Sequence, residues 1–291
     1  MKRSLIFFLL SSLFCGLCRG EVAWLVRMDA ERLYSSRLND EFEKLAADME
    51  DEETAVSEFL GRCEEELSDD LERITIYNND YSSDGIRVLL KGDFDPKRLF
   101  SIFKSYRSYR TGEHDGKVLH QCVVDDMSGL NVYGAACEGW AVVSFGSEKV
   151  LETISQIEDK SLLKSFNQLN RVFPPEAMVA GVTRGLGASL AKKGMRDPVL
   201  SNLGDVIFTV SEAGDTVYFN CDSATASSRV AGGLKDAIMG TVAAAKMHAD
   251  QVPPAVLKFF SSLNTSVSGD IFSVSFNISV DDFAAFIAEM E

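Results

Sequence analysis

The sequence holds three histidines, two tryptophans and six prolines. Three histidines are too few for a histidine-rich metal centre. Six prolines and 21 glycines are too few for a fibrous or low-complexity chain. Positive charge is also in short supply: 29 Lys and Arg stand against 44 Asp and Glu, a net charge of −15. Affinity for phosphate needs a cationic surface, so this balance argues against nucleic acid as a partner. The six cysteines form no C-x-x-C pair, so zinc and thioredoxin-type chemistry lack support. No G-x-S-x-G, H-E-x-x-H or S-x-x-K occurs in its expected context. Long apolar runs are absent except one near the start. What remains, 46% apolar residues over 291 positions, suffices for about two domains with cores of their own.

That one apolar run follows Met1-Lys2-Arg3 and extends uncharged from Ser4 to Cys18. It is shorter than the roughly 20 residues of a membrane span. The pattern predicts a signal peptide over residues 1–20, with Gly20 before the cut, and an exported chain with no membrane attachment after its removal. Removal leaves 26 basic against 44 acidic residues, a charge of −18, and four cysteines. An oxidising compartment permits disulfides. Cys122 and Cys137 fall on consecutive strands of a predicted hairpin and are the favoured pair. Cys63 lies on the apolar face of a helix, where a thiol acts as a small hydrophobe.

The spacing of apolar residues predicts an α+β fold. Strands are expected near Val22–Val26, Ile74–Tyr77, Ile86–Leu90, Val118–Val124, Val132–Cys137 and Trp140–Phe145. Helices carry Leu38, Phe42, Leu45 and Met49, then Val56, Phe59, Cys63 and Leu67. Asp95-Pro96 starts another and Ser147 caps a fourth. After a linker near residues 160–173 the order repeats, with strands near Met178–Val182, Val206–Val210, Val217–Cys221, Ser266–Ser268 and Ile271–Ile278. Ile74 to Val206 is 132 positions, Ile86 to Thr216 is 130, Trp140 to Ile271 is 131 and Ser147 to Ser279 is 132. The expectation is two tandem, duplicated units, each a mainly antiparallel sheet with helices on one face. The first spans 21–163 with an acidic helical insertion at about 40–72; the second spans 174–291.

Charge is segregated. Residues 40–72 hold 15 acids, including Glu64, Glu65 and Glu66, against Lys44 and Arg62 alone. Residues 97–110 hold Lys97, Arg98, Lys104, Arg107 and Arg110 with no acid, and Tyr106 and Tyr109 lie among them. These two groups form the candidate interaction surface, for another protein or for one another. Asp80 to Gly85 begins like a calcium loop, but Lys91 stands where the bidentate acid belongs, and a hairpin turn explains it better. Gly185-Leu186-Gly187 meets Leu190 where a dinucleotide fingerprint needs its third glycine, so it reads as a strand-to-helix turn. Neither a cofactor nor a metal is expected, and no residue earns a catalytic role.

The reading is an exported, non-catalytic binding or protein-interaction module, its partner another protein or a second copy. The rival is an extracytoplasmic hydrolase using carboxylates. A third reading is a small-ligand carrier with a pocket at the domain junction.

Overall fold

The computed structural model describes residues 23–48, 55–79, 85–125, 129–162, 164, 173–192 and 200–290. The predicted leader, Asp80–Asp84 of the calcium-like loop and most of the linker lie outside the described residues. No described helix is long and apolar enough to cross a membrane.

The first half contributes strands β1 (Trp24–Asp29), β2 (Leu71–Asn78), β3 (Arg87–Gly92), β4 (Arg110–His114), β5 (Lys117–Asp125), β6 (Leu130–Cys137) and β7 (Trp140–Ser144). Its helices are α1 (Ala30–Tyr34), α2 (Arg37–Asp48), α3 (Ala55–Leu67), α4 (Pro96–Ser105) and α5 (Ser147–Glu158). The second half adds β8 (Val179–Thr183), β9 (Val206–Ala213), β10 (Thr216–Ala224), β11 (Asn264–Ser268) and β12 (Ile271–Ser279). Its helices are α6 (Leu186–Lys192), α7 (Ser228–Met247), α8 (Pro254–Ser262) and α9 (Val280–Met290).

These twelve strands form one antiparallel sheet rather than two, ordered β11-β12-β10-β9-β8-β1-β2-β3-β7-β6-β5-β4. The seam is β1 against β8, with Met28 opposite Val179 and Trp24 opposite Thr183. Arg184 N–H donates to the Ala23 carbonyl at 2.8 Å and Asp29 N–H to the Met178 carbonyl at 2.9 Å, extending the seam at both ends. β1 lies at the centre of the sheet with both faces covered. That is why Trp24, Leu25, Val26 and Met28 are all buried and the strand reads as an apolar run without alternation.

Register assigns each side chain to a face. Val26, Met28, Ile74, Leu90, Val143, Val217, Phe276 and Ile278 face one side, and α1 to α4, α8 and α9 cover it. Leu25, Tyr77, Leu89, Ala135 and Val142 face the other, beneath Val150, Ile154 and Ile157 of α5. Helices therefore lie on both faces, not on one. Arg87 on the α5 side is buried yet partnered: it reaches Glu152 at 2.9 Å and the Gly85 carbonyl at 3.0 Å, and lies over the Tyr77 ring. Its charge is matched where an unpaired cation would be costly.

The order β8-β9-β10-β12-β11 repeats β1-β2-β3-β7-β6, with the β4–β5 hairpin added to the first run. The closing helices break the correspondence. α5 packs on one face and α9 on the other, where Phe283 of α9 meets Phe276 of the shared core. Ser147 is the first residue of α5 and Gly146 stands at its cap, whereas Ser279 does cap α9 by accepting from Asp282 N–H at 3.1 Å.

The two halves are also clamped across the helix-rich face. Glu212 of β9 accepts from the N–H groups of Arg37 at 3.0 Å and Leu38 at 2.8 Å, satisfying the free amides that open α2. Arg37 itself pairs with Asp215 at 2.7 Å and with Asp281. Phe42 meets Phe283 edge-on at 6.2 Å behind this clamp.

Candidate functional site

The candidate residues gather where α3, α4 and the β4–β5 hairpin meet at one end of the sheet. Asp95 starts α4: its carboxylate accepts from Lys97 N–H at 2.9 Å, and Pro96 occupies the first turn, where no amide is needed. Leu99, Phe100, Ile102 and Phe103 are buried. The remaining faces of the helix leave Lys97, Arg98 and Lys104 exposed. Arg107 and Arg110 follow, also exposed, the latter as the first residue of β4.

α3 packs on α4 through Phe59, which meets Phe103 edge-on at 5.2 Å. Arg62 lies over the Tyr106 ring and donates to Ser105 Oγ at 3.2 Å. Arg98 pairs with Asp70 and donates to the Glu66 carbonyl. The acidic and basic segments thus meet within one chain, and Arg98 is taken up by that contact. Glu65 and Glu66 are exposed on α3. The Glu64 side chain lies outside the described residues. Lys97, Lys104 and Arg110 enter no ion pair among the described residues.

His120 of β5 sits at the heart of this corner. Its ring stacks on Phe100 at 3.5 Å, and its Nδ1 is 2.9 Å from the Tyr109 hydroxyl. Burial, then the nearby Lys104 charge, lowers its pKa below the ordinary histidine value. Burial raises that of Tyr109. A neutral imidazole against a neutral phenol is a packing pair with one hydrogen bond, not an activated nucleophile.

β4 closes the corner and is the element that pattern reading misses. Arg110-Thr111-Gly112-Glu113-His114 carries no apolar residue, so nothing marks it as a strand and all of Thr111–Gly116 reads as a turn. The turn is Asp115-Gly116 alone, with φ of 49° and 76°, the left-handed pair of a tight hairpin. Asp-Gly between two runs of paired residues is the signal that could have placed it. All five β4 residues are exposed, and the strand forms one edge of the sheet.

The favoured disulfide is not formed. All four described cysteines are free. Cys122 sits opposite Val132 on the α4 side, while Cys137 sits opposite Trp140 on the α5 side, so the sheet itself separates them. Burial raises every thiol pKa, to about 12 for Cys122 and about 11 for Cys137. Cys63 joins the core under α3. The strand-to-helix turn is at Gly185, with φ of 60°, and Gly187 lies in the first turn of α6, where its N–H donates to the Leu203 carbonyl at 2.8 Å and a Cβ would come within 2.4 Å of the Ser201 carbonyl oxygen.

An open groove of about 530 Å³ lies between α8, α9 and β12, lined by Leu257, Lys258, Ser261, Asn277, Ile278 and Asp282. Lys258 pairs with Asp282 at 2.7 Å beside it, which lowers the Asp282 pKa. This is not the β1–β8 seam, where the carrier reading expects a pocket. No group of three or more metal-ligating side chains occurs among the described residues.

No family model and no curated protein matches the chain. Solved structures do. The chain has the fold of TP0453. Crystal form III of TP0453 aligns at a TM-score of 0.54 and 12% identity, over 95% of this chain and 97% of that one. Form IV gives 0.54 at 11%, over 93% and 94%, and form I gives 0.50 at 11%, over 96% of each. Coverage is nearly end to end, so the likeness to TP0453 extends across the β1–β8 seam. At this identity it carries the fold alone.

Proposed function

We propose that the chain is an exported, non-catalytic module that binds another protein. The observation that carries this reading is the edge strand β4, five exposed residues at the end of an open sheet, beside exposed cations that enter no ion pair among the described residues. Edges of this kind are templates for a strand from another chain. The apolar, uncharged start of the sequence supports export. The shared offsets, together with the repeated strand order, support descent of both halves from one unit.

The test places a photo-crosslinking phenylalanine analogue at Thr111, at Val118 and at Tyr218, in the full chain expressed in its own cells. Capture at Thr111 of one protein, identified by mass spectrometry and not captured at Tyr218, supports the reading. No protein captured at any position, with a melting-temperature rise on adding a sugar, metal or nucleotide, would overturn it in favour of a carrier.

The groove beside Lys258 and Asp282 favours the carrier as the second reading. It would take a small polar ligand. Lys258→Ala would then abolish the ligand-induced rise in melting temperature.

A further inference from the structure

We infer that the open edge of β4 recognises an extended acidic segment of a partner protein, which adds as a further strand with its carboxylates against Lys104 and Arg110. This rests on the protein-binding reading above and narrows it to one edge and one partner chemistry.

The hairpin decides which backbone groups are available. In a two-residue turn with both φ positive, the closing pair exchanges both of its backbone hydrogen bonds. Here that pair is His114 and Lys117. Bonding then alternates along β4, so His114, Gly112 and Arg110 turn their N–H and C=O groups inward to β5. Thr111 and Glu113 turn theirs outward to the open edge. An added strand finds two donors and two acceptors there without disturbing the existing ladder.

Charge decides what kind of strand fits. Thr111 lies opposite His120, on the face where α4 carries Lys104. Arg110 lies opposite Gln121, on the other face. Side chains of an added strand alternate between the faces, so carboxylates on either face find a cation. Lys97 extends the field along α4, whereas Arg98 is already held by Asp70. Glu113 and Asp115 make the hairpin tip negative, which directs the acidic part of the partner toward the Arg110 end. A second copy fits less well. Pairing two β4 strands symmetrically about Gly112 sets Arg110 opposite His114 and gives it no carboxylate.

The experiment titrates the full mature chain with a fluorescein-labelled peptide of alternating glutamate and valine, and with its lysine–valine counterpart. Thr111→Pro removes an outward donor at an edge position that tolerates proline. Thr111→Val keeps the donor and controls for the side chain. Lys104→Glu with Arg110→Glu reverses the charge. Each variant is first checked for an unchanged melting temperature. The expected result is binding of the glutamate peptide only, weakened about tenfold or more by Thr111→Pro and by the double reversal but not by Thr111→Val. Three results would overturn the inference: no binding of the glutamate peptide, binding indifferent to Thr111→Pro, or equal binding of single-stranded DNA, which would make the surface a general polyanion site. If the peptide fails while crosslinking at Thr111 still captures one protein, the acidic-strand assignment falls and the protein-binding reading stands. If both fail, both fall.

Discussion

His120 lies between Phe100 and Tyr109 with Lys104 close by, and these neighbours set its titration. Its folded pKa is below the ordinary value, so the unfolded chain takes up the proton first as pH falls. This group's contribution to stability is therefore complete above about pH 6.5. It declines as pH falls through that value and levels off once the folded value is passed. Melting temperature measured from pH 8 to pH 5 should fall less steeply for His120→Gln than for the natural chain. Equal slopes would show that another group is responsible. The sequence placed His120 on a strand but gave no sign of this environment, because Phe100 and Tyr109 reach it only through the packing of α4. The cysteines show the same limit. Cys122 and Cys137 were legible as neighbours in a hairpin, but the face each one takes depends on a register that no local pattern states.

At the scale of elements, periodicity was a good guide wherever one face is buried. Most strands and helices fall within a few residues of their apolar stripes, and Asp95-Pro96 and Ser279 start helices as their chemistry requires. β4 escaped because both of its faces are wet. The clamp on α2 was equally hidden, since Glu212 and Arg37 are 175 positions apart. Its consequence can be measured. Glu212→Ala leaves the opening amides of α2 without their carboxylate, and by analogy with lost helix caps should cost about 1–2 kcal/mol. Hydrogen exchange should rise selectively at Arg37 and Leu38. If protection there is unchanged, the carboxylate contributes nothing to the helix start.

For the whole molecule, the single sheet changes what two halves mean. β1 is bonded on one side to β2 of its own half and on the other to β8. One core contains Met28 and Ile74 together with Val179, Phe276 and Ile278. The seam and the shared core predict one cooperative unfolding transition, with calorimetric and van't Hoff enthalpies in agreement. Two resolved transitions would show that the halves melt independently in spite of the shared sheet. The mixed helix and strand content was legible in the alternation of apolar spacings. The union of the halves was not, because a seam of five residue pairs leaves no periodic trace.

The central position of β1 also has a history in time. Among the described residues it is the first strand in chain order, yet Met28 waits for Val179, 151 positions later, to fill its second side. At synthesis rates of about 5–20 residues per second, that delay is roughly 8 to 30 seconds. Throughout it the Trp24–Asp29 segment has an unpaired, strongly apolar edge. Closure of the sheet at its centre therefore comes late in synthesis, once β8 has followed β1 out of the ribosome.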